Sequence, residues 1–232
     1  MKLKRGSICI FAGLLLIAAA FSITIYNRWE DYRAEQSVLH VMEQLPVVTM
    51  ERESAVAAEQ IEPETEAVVH VPPVWSEPVP VETIPAEAEI PDYILNPHKE
   101  MPVQNVDGRD YIGIVEIEAC SMSLPVISHW SYPALKVAPC RFDGSVYTDT
   151  MIVAGHDYRA HFKLLRSIGE GTKVQFTDTE GNLFSYTVSY TEIVGSSDVE
   201  GLAAGEWDLT LFTCTADGSS RFVVRCERNQ NK

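Results

Sequence analysis

The second half of the chain, from about residue 107, is a succession of short apolar or alternating segments. Alternation of apolar and polar residues predicts a half-buried strand, and a short continuous apolar run predicts a buried one. By these patterns we predict strands at residues 110–117, 123–127, 150–156, 173–177 and 183–190. The last two segments flank a Thr-Glu-Gly-Asn turn, so they predict a hairpin.

Two further strand patterns close this part of the chain, and a short turn separates them. Residues 209–214 read LTLFTC, an apolar and β-branched run that ends in a cysteine. Residues 221–226 read RFVVRC, and the run between the two segments is rich in Asp, Gly and Ser, which predicts a tight turn. The pattern therefore predicts a thiol, Cys214, at the end of one strand and a guanidinium, Arg221, at the start of the next.

The segments between the predicted strands are short. Phe162, Leu165 and Ile168 recur at helical spacing and predict one short helix. Other connections are predicted as a helical turn at 132–135, a loop at 138–144 and a polar stretch at 195–208. Seven or eight short strands and one short helix in about 125 residues predict a single β-barrel or β-sandwich domain.

An uncharged and mostly apolar segment follows the basic N-terminus. Residues 8–26 contain no charged side chain, and Lys2, Lys4 and Arg5 precede them. Such a segment is long enough to span a membrane, and flanking positive charges stay on the cytoplasmic side. We therefore predict a single-pass anchor in the cell membrane, with the N-terminus in the cytoplasm and the folded domain outside the cell. A signal peptide cleaved near the alanines at 18–20 is the alternative.

Proline dominates the segment between the anchor and the predicted strands. Nine of the 13 prolines lie at 46–97, among Glu, Val and Ala residues, whereas residues 30–45 have helical composition. Regular structure does not persist through this proline density, so we predict a disordered, solvated stalk; a partner-binding stretch around Trp75 is the alternative. The predicted domains are a basic head and anchor at 1–28, an acidic Pro-rich stalk at 29–105 and a folded domain at 106–232.

The chain is acidic, with a formal net charge of −15 and a pI of about 4.7. Recognition of phosphates needs a basic face, so this charge excludes a nucleic-acid binder. Much of the charge belongs to the predicted stalk, because residues 30–100 hold 16 of the 33 acidic residues.

The five cysteines form no CxxC pair and no metal-type spacing, so we predict neither a metal site nor a disulfide framework. Cys9 lies in the apolar N-terminal segment, which leaves four cysteines for the folded domain. We expect free thiols, most of them buried. A bridge between Cys120 and Cys140 is the alternative.

One cysteine and one histidine stand out as candidates for chemistry. Cys214 and His156 each lie at the end of a predicted strand, where a sheet holds a reactive group rigidly at its rim. A thiol becomes a nucleophile when a base or a cation is close. The other histidines lie in the stalk region, in a predicted loop or near the short helix, at positions 40, 70, 98, 129 and 161. The residues alone leave two interpretations open, a catalytic Cys–His site and a buried thiol with an incidental histidine.

The sequence around these residues resembles that of the sortases, cysteine transpeptidases that attach proteins to Gram-positive cell walls. Residues 209–214 followed by Arg221 resemble the TLxTC…R signature of that family, and the Ala-Gly-His run at 154–156 resembles its histidine motif. Residues 162–174 resemble the segment after this motif, and residues 111–117 resemble the first strand.

The resemblance covers residues 107–228 and implies a fold and a site. The fold is a closed eight-stranded β-barrel, mainly β with one or two short helices, and the catalytic trio is His156, Cys214 and Arg221. Thr213 is implied as a support for the reaction intermediate through a hydrogen bond. Arg225 lies on the same predicted strand face as Arg221 and is the alternative arginine.

The resemblance also implies roles for the trio. Cys214 attacks the carbonyl of a sorting-signal peptide and forms a thioacyl intermediate, while His156 acts first as general acid and then as base. Arg221 keeps its charge and suits the developing oxyanion. A thiol and an imidazole with reference pKa values of about 8.5 and about 6.5 are mostly neutral at pH 7. We therefore expect a minor, active thiolate–imidazolium population and a bell-shaped pH–rate profile.

Substrates and partners follow from the resemblance alone. The substrates are surface proteins with an LPxTG-like sorting signal, and the acceptor is an amine of a peptidoglycan precursor or another amine. No cofactor is implied; calcium activates some members, but no set of residues here demands it. The segment before residue 209 is too short for the long helix of class B, and no aspartate-aromatic lid precedes the domain, which leaves a housekeeping-like or class D/E-like enzyme. The alternatives are a cysteine protease that only hydrolyses and a non-catalytic β-barrel binding module.

Overall fold

The computed structural model describes residues 5–45, 91–203 and 205–229, with side chains of the first helix from Ile10 onward. Most of the predicted stalk, including Trp75, lies outside the described residues. At the two ends of that predicted segment, the structure places residues 29–44 in a helix and starts the first strand at Gln104. The proposed division into three domains stays a prediction.

The described residues form four α-helices, nine strands and two short 3-10 helices. The α-helices are α1 (Arg5–Gln44), α2 (Asp92–Leu95), α3 (Tyr132–Leu135) and α4 (Val199–Ala203). The strands are β1 (Gln104–Val106), β2 (Arg109–Ile117), β3 (Met122–Ile127), β4 (Cys140–Asp143), β5 (Met151–Gly155), β6 (Lys173–Asp178), β7 (Leu183–Gly195), β8 (Leu209–Cys214) and β9 (Ser220–Arg228). The 3-10 helices are Glu118–Cys120 and Phe162–Ser167.

The strands form a closed barrel. Their order is β1-β2-β3-β4-β5-β8-β9-β7-β6, and a further pairing of β2 with β6 closes the sheet on itself. The closed part contains the eight strands β2 to β9, and β1 adds a ninth as a hairpin partner of β2. The prediction of a closed eight-stranded barrel is confirmed, with this one additional strand.

Side chains alternate between the inside and the outside of the barrel along β8 and its neighbours. Leu211 belongs to the central core that nearly every strand contributes to, whereas Phe212 packs outside the barrel with Ala154 and Val223. Because successive strand residues point to opposite faces, Cys214 continues the outer row of Phe212. The barrel therefore presents the thiol on its outer face.

Several short elements depart from the sequence prediction. The predicted loop at 138–144 is wrong, since it contains β4, a short strand whose pairing with β5 is shifted by a bulge after Arg141. The predicted helix around Leu165 is right in place but forms a 3-10 helix. The polar stretch before β8 contains α4, which no apolar periodicity announced.

Helix α1 combines an apolar N-terminal part with a face that packs on the barrel. By its length and composition, it is long and apolar enough to cross a membrane. Further along, Ala34, Val38, Val41 and Leu45 are buried at a helical spacing, which places one stripe of the helix against the barrel. The predicted helix at residues 30–45 is confirmed.

Candidate active site

Cys214 and Arg221 are direct partners across the antiparallel pair β8–β9. The next pair toward the turn is joined by a hydrogen bond from the Thr215 amide to the Ser220 carbonyl, at 2.9 Å. The Cys214–Arg221 pair is therefore of the non-hydrogen-bonded type, in which Cα atoms are about 4.5 Å apart and side chains lie close on one face. Both side chains are half-buried.

His156 reaches the same place from the other side of β8. Strand β5 runs parallel to β8 and pairs Gly155 with Thr213, so the next residue on each strand is His156 or Cys214. His156 follows Ala154 in the outer row of β5 by the strand alternation. The structure therefore brings His156, Cys214 and Arg221 to the same end of three adjacent strands, on the outer face of the barrel.

Gly155 permits this arrangement because no side chain fits at its position. A Cβ added there would lie 2.4 Å from the Cδ2 atom of the Phe162 ring. Phe162 is buried in the central core, and its amide donates a hydrogen bond to the His156 carbonyl at 3.1 Å. The aromatic ring under Gly155 and this hydrogen bond hold the backbone of the histidine at the strand end.

The imidazole of His156 lies between two tyrosine rings. Tyr158 stacks on it with a centroid distance of 4.6 Å and an interplanar angle of 23°, and Tyr132 meets it edge-on at 5.7 Å and 80°. The Nε2 atom is buried and has no hydrogen-bond partner among the described residues. The sequence pattern reveals neither tyrosine: Tyr132 belongs to α3 and is distant along the chain, and Tyr158 lies between β5 and the 3-10 helix, outside any regular element.

The surroundings of His156 favour its neutral form. Burial lowers the pKa of His156, and the charge of Lys136 lowers it further. The carboxylates of Glu30 and Asp157 act in the opposite direction. A neutral imidazole with an unpartnered Nε2 is ready to accept a proton.

Arg166 ties the thiol-bearing strand end to the histidine segment. Its Nη2 atom donates to the Cys214 carbonyl at 3.2 Å and forms an ion pair with Asp157, the residue after His156. The sequence pattern does not reveal a role for this arginine, because it lies in the 3-10 helix 48 residues before the cysteine. Arg166 therefore fixes the relative positions of the two candidate reactive residues.

The turn between Cys214 and Arg221 is held by Asp217. Its two carboxylate oxygens each accept a hydrogen bond at 2.6 Å, one from the Thr215 hydroxyl and one from the Ser219 hydroxyl. These bonds lower the pKa of Asp217 to about 2, with the Ser219 bond as the largest cause. The turn that joins the thiol to the guanidinium is therefore a defined structure.

The two candidate arginines of β9 occupy different environments. Arg225 is 1% exposed and pairs with Glu192 at 2.8 Å. It also donates to the Gly201 and Leu202 carbonyls and the Thr210 hydroxyl, so it fastens α4 to the barrel. Arg221 forms no ion pair within the described part of the chain, and its Nη1 atom donates only to the adjacent Ser220 carbonyl.

Thr213 lies on the other face of β8 from the thiol. It is 1% exposed, and its hydroxyl is buried without a hydrogen-bond partner among the residues that the structure describes. By the strand alternation its side chain points into the barrel, while Cys214 points outward. The structure therefore places Cys214, His156 and Arg221 at the same end of three adjacent strands, on the outer face, and leaves the side chain of Thr213 behind the strand.

The four cysteines of the folded domain are free, so the alternative of a Cys120–Cys140 bridge is wrong. Burial raises the pKa of Cys140 and of Cys226 to about 12, which makes both poor nucleophiles. Cys120 is half-buried, and burial raises its pKa as well. Among the residues described, no group of three or more His, Cys, Asp or Glu residues is placed to hold a metal ion.

An aromatic surface continues from the thiol along the outer face of the barrel. Phe212, two residues before Cys214, meets Phe142 at a centroid distance of 5.5 Å, and Phe142 meets Trp130 at 6.0 Å. Trp130 remains 47% exposed. These three aromatic side chains form a row that begins two residues before the thiol and ends at the exposed Trp130.

Solved structures with a similar fold are sortases of several kinds. Sortase A from Corynebacterium diphtheriae is 25% identical, with a TM-score of 0.48, and the match covers 61% of this chain and 68% of that one. The sortase D5 transpeptidase of Clostridium perfringens is 19% identical, with a TM-score of 0.47 and coverages of 54% and 82%. Sortase C1 of GBS pilus island 1 is 20% identical, with a TM-score of 0.47, and the match covers 53% of this chain but 66% of that one.

A search among curated protein sequences finds no match. The model of one protein family, described as the Sortase domain, matches residues 115–229. These residues run from β2 to the end of β9 and include His156, Cys214 and Arg221. By the barrel they form and by this match, the chain belongs to the sortase family, the cysteine transpeptidases.

Proposed function

We propose that this protein is a sortase that cleaves an LPxTG-like sorting signal and transfers the cleaved protein to an amine of the cell wall. The observation that carries the proposal is the convergence of Cys214, His156 and Arg221 at one end of β8 and its two neighbouring strands. The other thiols of the folded domain have a pKa raised by burial, whereas Cys214 stands half-exposed beside a histidine and a guanidinium.

In the first step, the thiolate of Cys214 adds to the carbonyl carbon of the scissile peptide bond. The tetrahedral intermediate collapses, the C–N bond breaks, and the proton of the His156 imidazolium passes to the leaving amine. The products are a thioester on Cys214, a neutral imidazole and a released C-terminal peptide. The buried, unpartnered Nε2 atom of His156 supports its role as the proton carrier.

In the second step, an acceptor amine attacks the thioester. His156 takes the proton of that amine, the C–S bond breaks, and the new amide leaves Cys214 as a thiolate. A barrel surface that admits an amine in preference to water gives transpeptidation. Free access of water gives hydrolysis, which is the alternative activity of the same site.

Arg221 supplies a permanent positive charge to the oxygen that becomes negative in each step. Its position opposite Cys214 and its lack of an ion pair among the described residues support this assignment over Arg225. The hydroxyl of Thr213 lies on the face of β8 opposite the thiol, so we assign this residue a supporting role from inside the barrel and no hydrogen bond to the intermediate. This chemistry uses no cofactor.

The surroundings of the site support a peptide substrate and a membrane location. The aromatic surface of Phe212, Phe142 and Trp130 suits the apolar residues of a sorting signal on a surface protein. The apolar part of α1 suits a single-pass anchor that places the barrel on the outer side of the cell membrane.

The experiment uses the full chain in detergent, an LPxTG-type peptide and an amine nucleophile, with products identified by mass spectrometry. We expect ligated product that is lost in Cys214→Ala and kept in Cys120→Ala, the matched change at the other half-buried thiol. Hydrolysis without ligation at any amine concentration contradicts transpeptidation and leaves a protease. Absence of turnover, together with no labelling of Cys214 by iodoacetamide, leaves a binding module.

A further inference from the structure

Helix α1 touches the tyrosine that stacks on the candidate catalytic histidine. The hydroxyl of Tyr158 donates a hydrogen bond to the Glu30 Oε2 atom of α1 at 3.1 Å. The ring of the same tyrosine lies parallel to the imidazole of His156 at 4.6 Å. One side chain thus connects the N-terminal helix directly to the site.

A second set of contacts links the same carboxylate to the other side of the imidazole. Lys136, at the C-terminal end of α3, donates to the Glu30 Oε1 atom at 3.4 Å and lies 5.6 Å from the centre of the Tyr132 ring. Tyr132 meets His156 edge-on. Glu30 therefore contacts both elements that flank the imidazole.

These contacts act on the ring in two ways. Parallel stacking restricts the plane of the imidazole, and the face of an aromatic ring stabilises the imidazolium form. The Glu30 charge opposes the Lys136 charge, because the carboxylate favours the imidazolium and the ammonium disfavours it. The titratable or charged groups placed around His156 are Glu30, Tyr132, Lys136, Asp157, Tyr158, His161, Cys214 and Arg221.

We propose that Tyr158 is a positioning residue for His156 and that Glu30 of α1 holds it in place. The N-terminal helix is then part of the support of the active site as well as an anchor. This inference rests on the proposed function, since it assigns His156 the proton transfers of the two steps.

The position of Glu30 is itself fixed by the contact of α1 with the barrel. Ala34 and Val38 follow Glu30 on the helix at intervals of four residues and are buried against the barrel. Residues four apart share one face of a helix, so Glu30 is directed at the barrel by the same stripe. A shift of the helix along or around its axis withdraws the carboxylate from Tyr158.

The test compares pH profiles of kcat/KM for the full chain in detergent, measured by ligation. In Glu30→Gln the lost negative charge disfavours the imidazolium, so the acid limb moves to lower pH by about half a unit and the maximum falls about threefold, since each unit of histidine pKa changes the imidazolium fraction tenfold. Lys136→Met moves the acid limb to higher pH. Glu43→Gln, the same change at an exposed site of α1, leaves the profile unchanged.

Tyr158→Phe separates positioning from folding, because it keeps the ring and removes the hydroxyl. We expect it to lower the maximum, and in combination with Glu30→Ala to lose less than the sum of the two single losses, since both single changes remove the Tyr158–Glu30 hydrogen bond. Additive losses overturn the proposal. So does an acid limb that stays in place in Glu30→Gln, or one that moves equally in Glu43→Gln.

A measurement without substrate shows whether a negative result concerns this inference or the proposed function. The His156 ring signals of the full chain are titrated by NMR in wild type and Glu30→Gln. A lower His156 pKa in the variant, found alongside a failed ligation assay, overturns the proposed transpeptidation and retains the influence of Glu30 on the histidine. An unchanged pKa alongside active ligation overturns the inference and retains the function.

Discussion

Cys214 and Arg221 face each other at the turn end of β8 and β9, while Arg225, two periods of the strand alternation further on, is buried against Glu192. One strand thus carries two arginines on the same face with different tasks. The first stands half-exposed beside the thiol, and the second fastens α4 to the barrel. We therefore expect Arg221 to affect activity and Arg225 to affect stability, and both effects can be measured.

Replacement of each arginine is expected to affect a different property. Arg221→Ala should lower kcat/KM by about 100-fold or more through loss of oxyanion stabilisation, with little change in unfolding free energy. Arg225→Ala should lower the unfolding free energy by about 3 kcal/mol, because it leaves buried acceptors without a donor. Ligation kinetics and urea unfolding of both variants check this. Nearly full activity in Arg221→Ala contradicts the assignment.

Arg166 is expected to affect activity through the position of the Cys214 backbone. Arg166→Met removes the hydrogen bond to the Cys214 carbonyl and the ion pair with Asp157, so kcat should fall about tenfold while stability changes by about 1 kcal/mol. Lys163→Met, an exposed change in the same 3-10 helix, serves as the control and should leave kcat unaltered. Equal kcat values for the two variants speak against a positioning role of Arg166.

Gly155 is expected to tolerate no side chain. In Gly155→Ala the new Cβ meets the Phe162 ring, so the unfolding free energy should fall by about 1–3 kcal/mol and the histidine should be displaced. Adding Phe162→Leu should recover part of that loss, because the two positions share one contact. Urea unfolding of the two single variants and the double variant measures the coupling. If the losses of unfolding free energy in the two single variants simply add in the double variant, the Phe162 ring is not what excludes a side chain at position 155.

Stability is expected to fall at acidic pH because of His161. Burial lowers the pKa of this histidine to about 4, whereas an imidazole in the unfolded chain titrates at about 6.5. Between these pH values the unfolded chain binds a proton that the folded protein does not, so this contribution to stability is complete above about pH 6.5 and is lost as the pH falls toward 4. The loss amounts to about 3 kcal/mol.

His161→Gln isolates this effect from that of the carboxylates. The variant is expected to be less stable than wild type at pH 7, through lost contacts, and the difference should shrink or reverse by pH 4.5. Urea unfolding at both pH values provides the measurement. A constant difference between variant and wild type rules out His161 as the source.

The long apolar or alternating strands were predictable because each buries one or both faces in the barrel. Residues 110–117 and 209–214 became β2 and β8 with little change at their ends. Strand β4 was not predictable, because its bulge removes the alternation of apolar and polar residues that indicates a strand. Helix α4 was not predictable either, because it is held by hydrogen bonds from the guanidinium of Arg225 and not by an apolar stripe of its own.

The same distinction holds for the candidate site, where residues at strand ends were predictable and residues that act through long-range contacts were not. Cys214, His156 and Arg221 were found because each stands at a strand end, a position that the pattern of strands reveals. Tyr158 and Arg166 were not found, since both act through contacts with residues far away in the sequence, Glu30 and Cys214. Such contacts follow from how α1 and the 3-10 helix pack, which periodicity does not encode.

If α1 is the proposed membrane anchor, its packing on the barrel makes the height of the candidate site above the membrane independent of the length of the Pro-rich segment. Leu45, the residue after α1, is buried in one cluster with Val106 of β1, so described residues on both sides of the Pro-rich segment pack together on the barrel. With residues 8–26 in the bilayer, Glu30 lies about 6 Å further along the helix axis, at 1.5 Å per residue. If α1 is the proposed anchor, insertions or deletions at residues 46–90 leave the height of the candidate site unchanged, and the proposed substrates present their cleavage site close to the lipid surface.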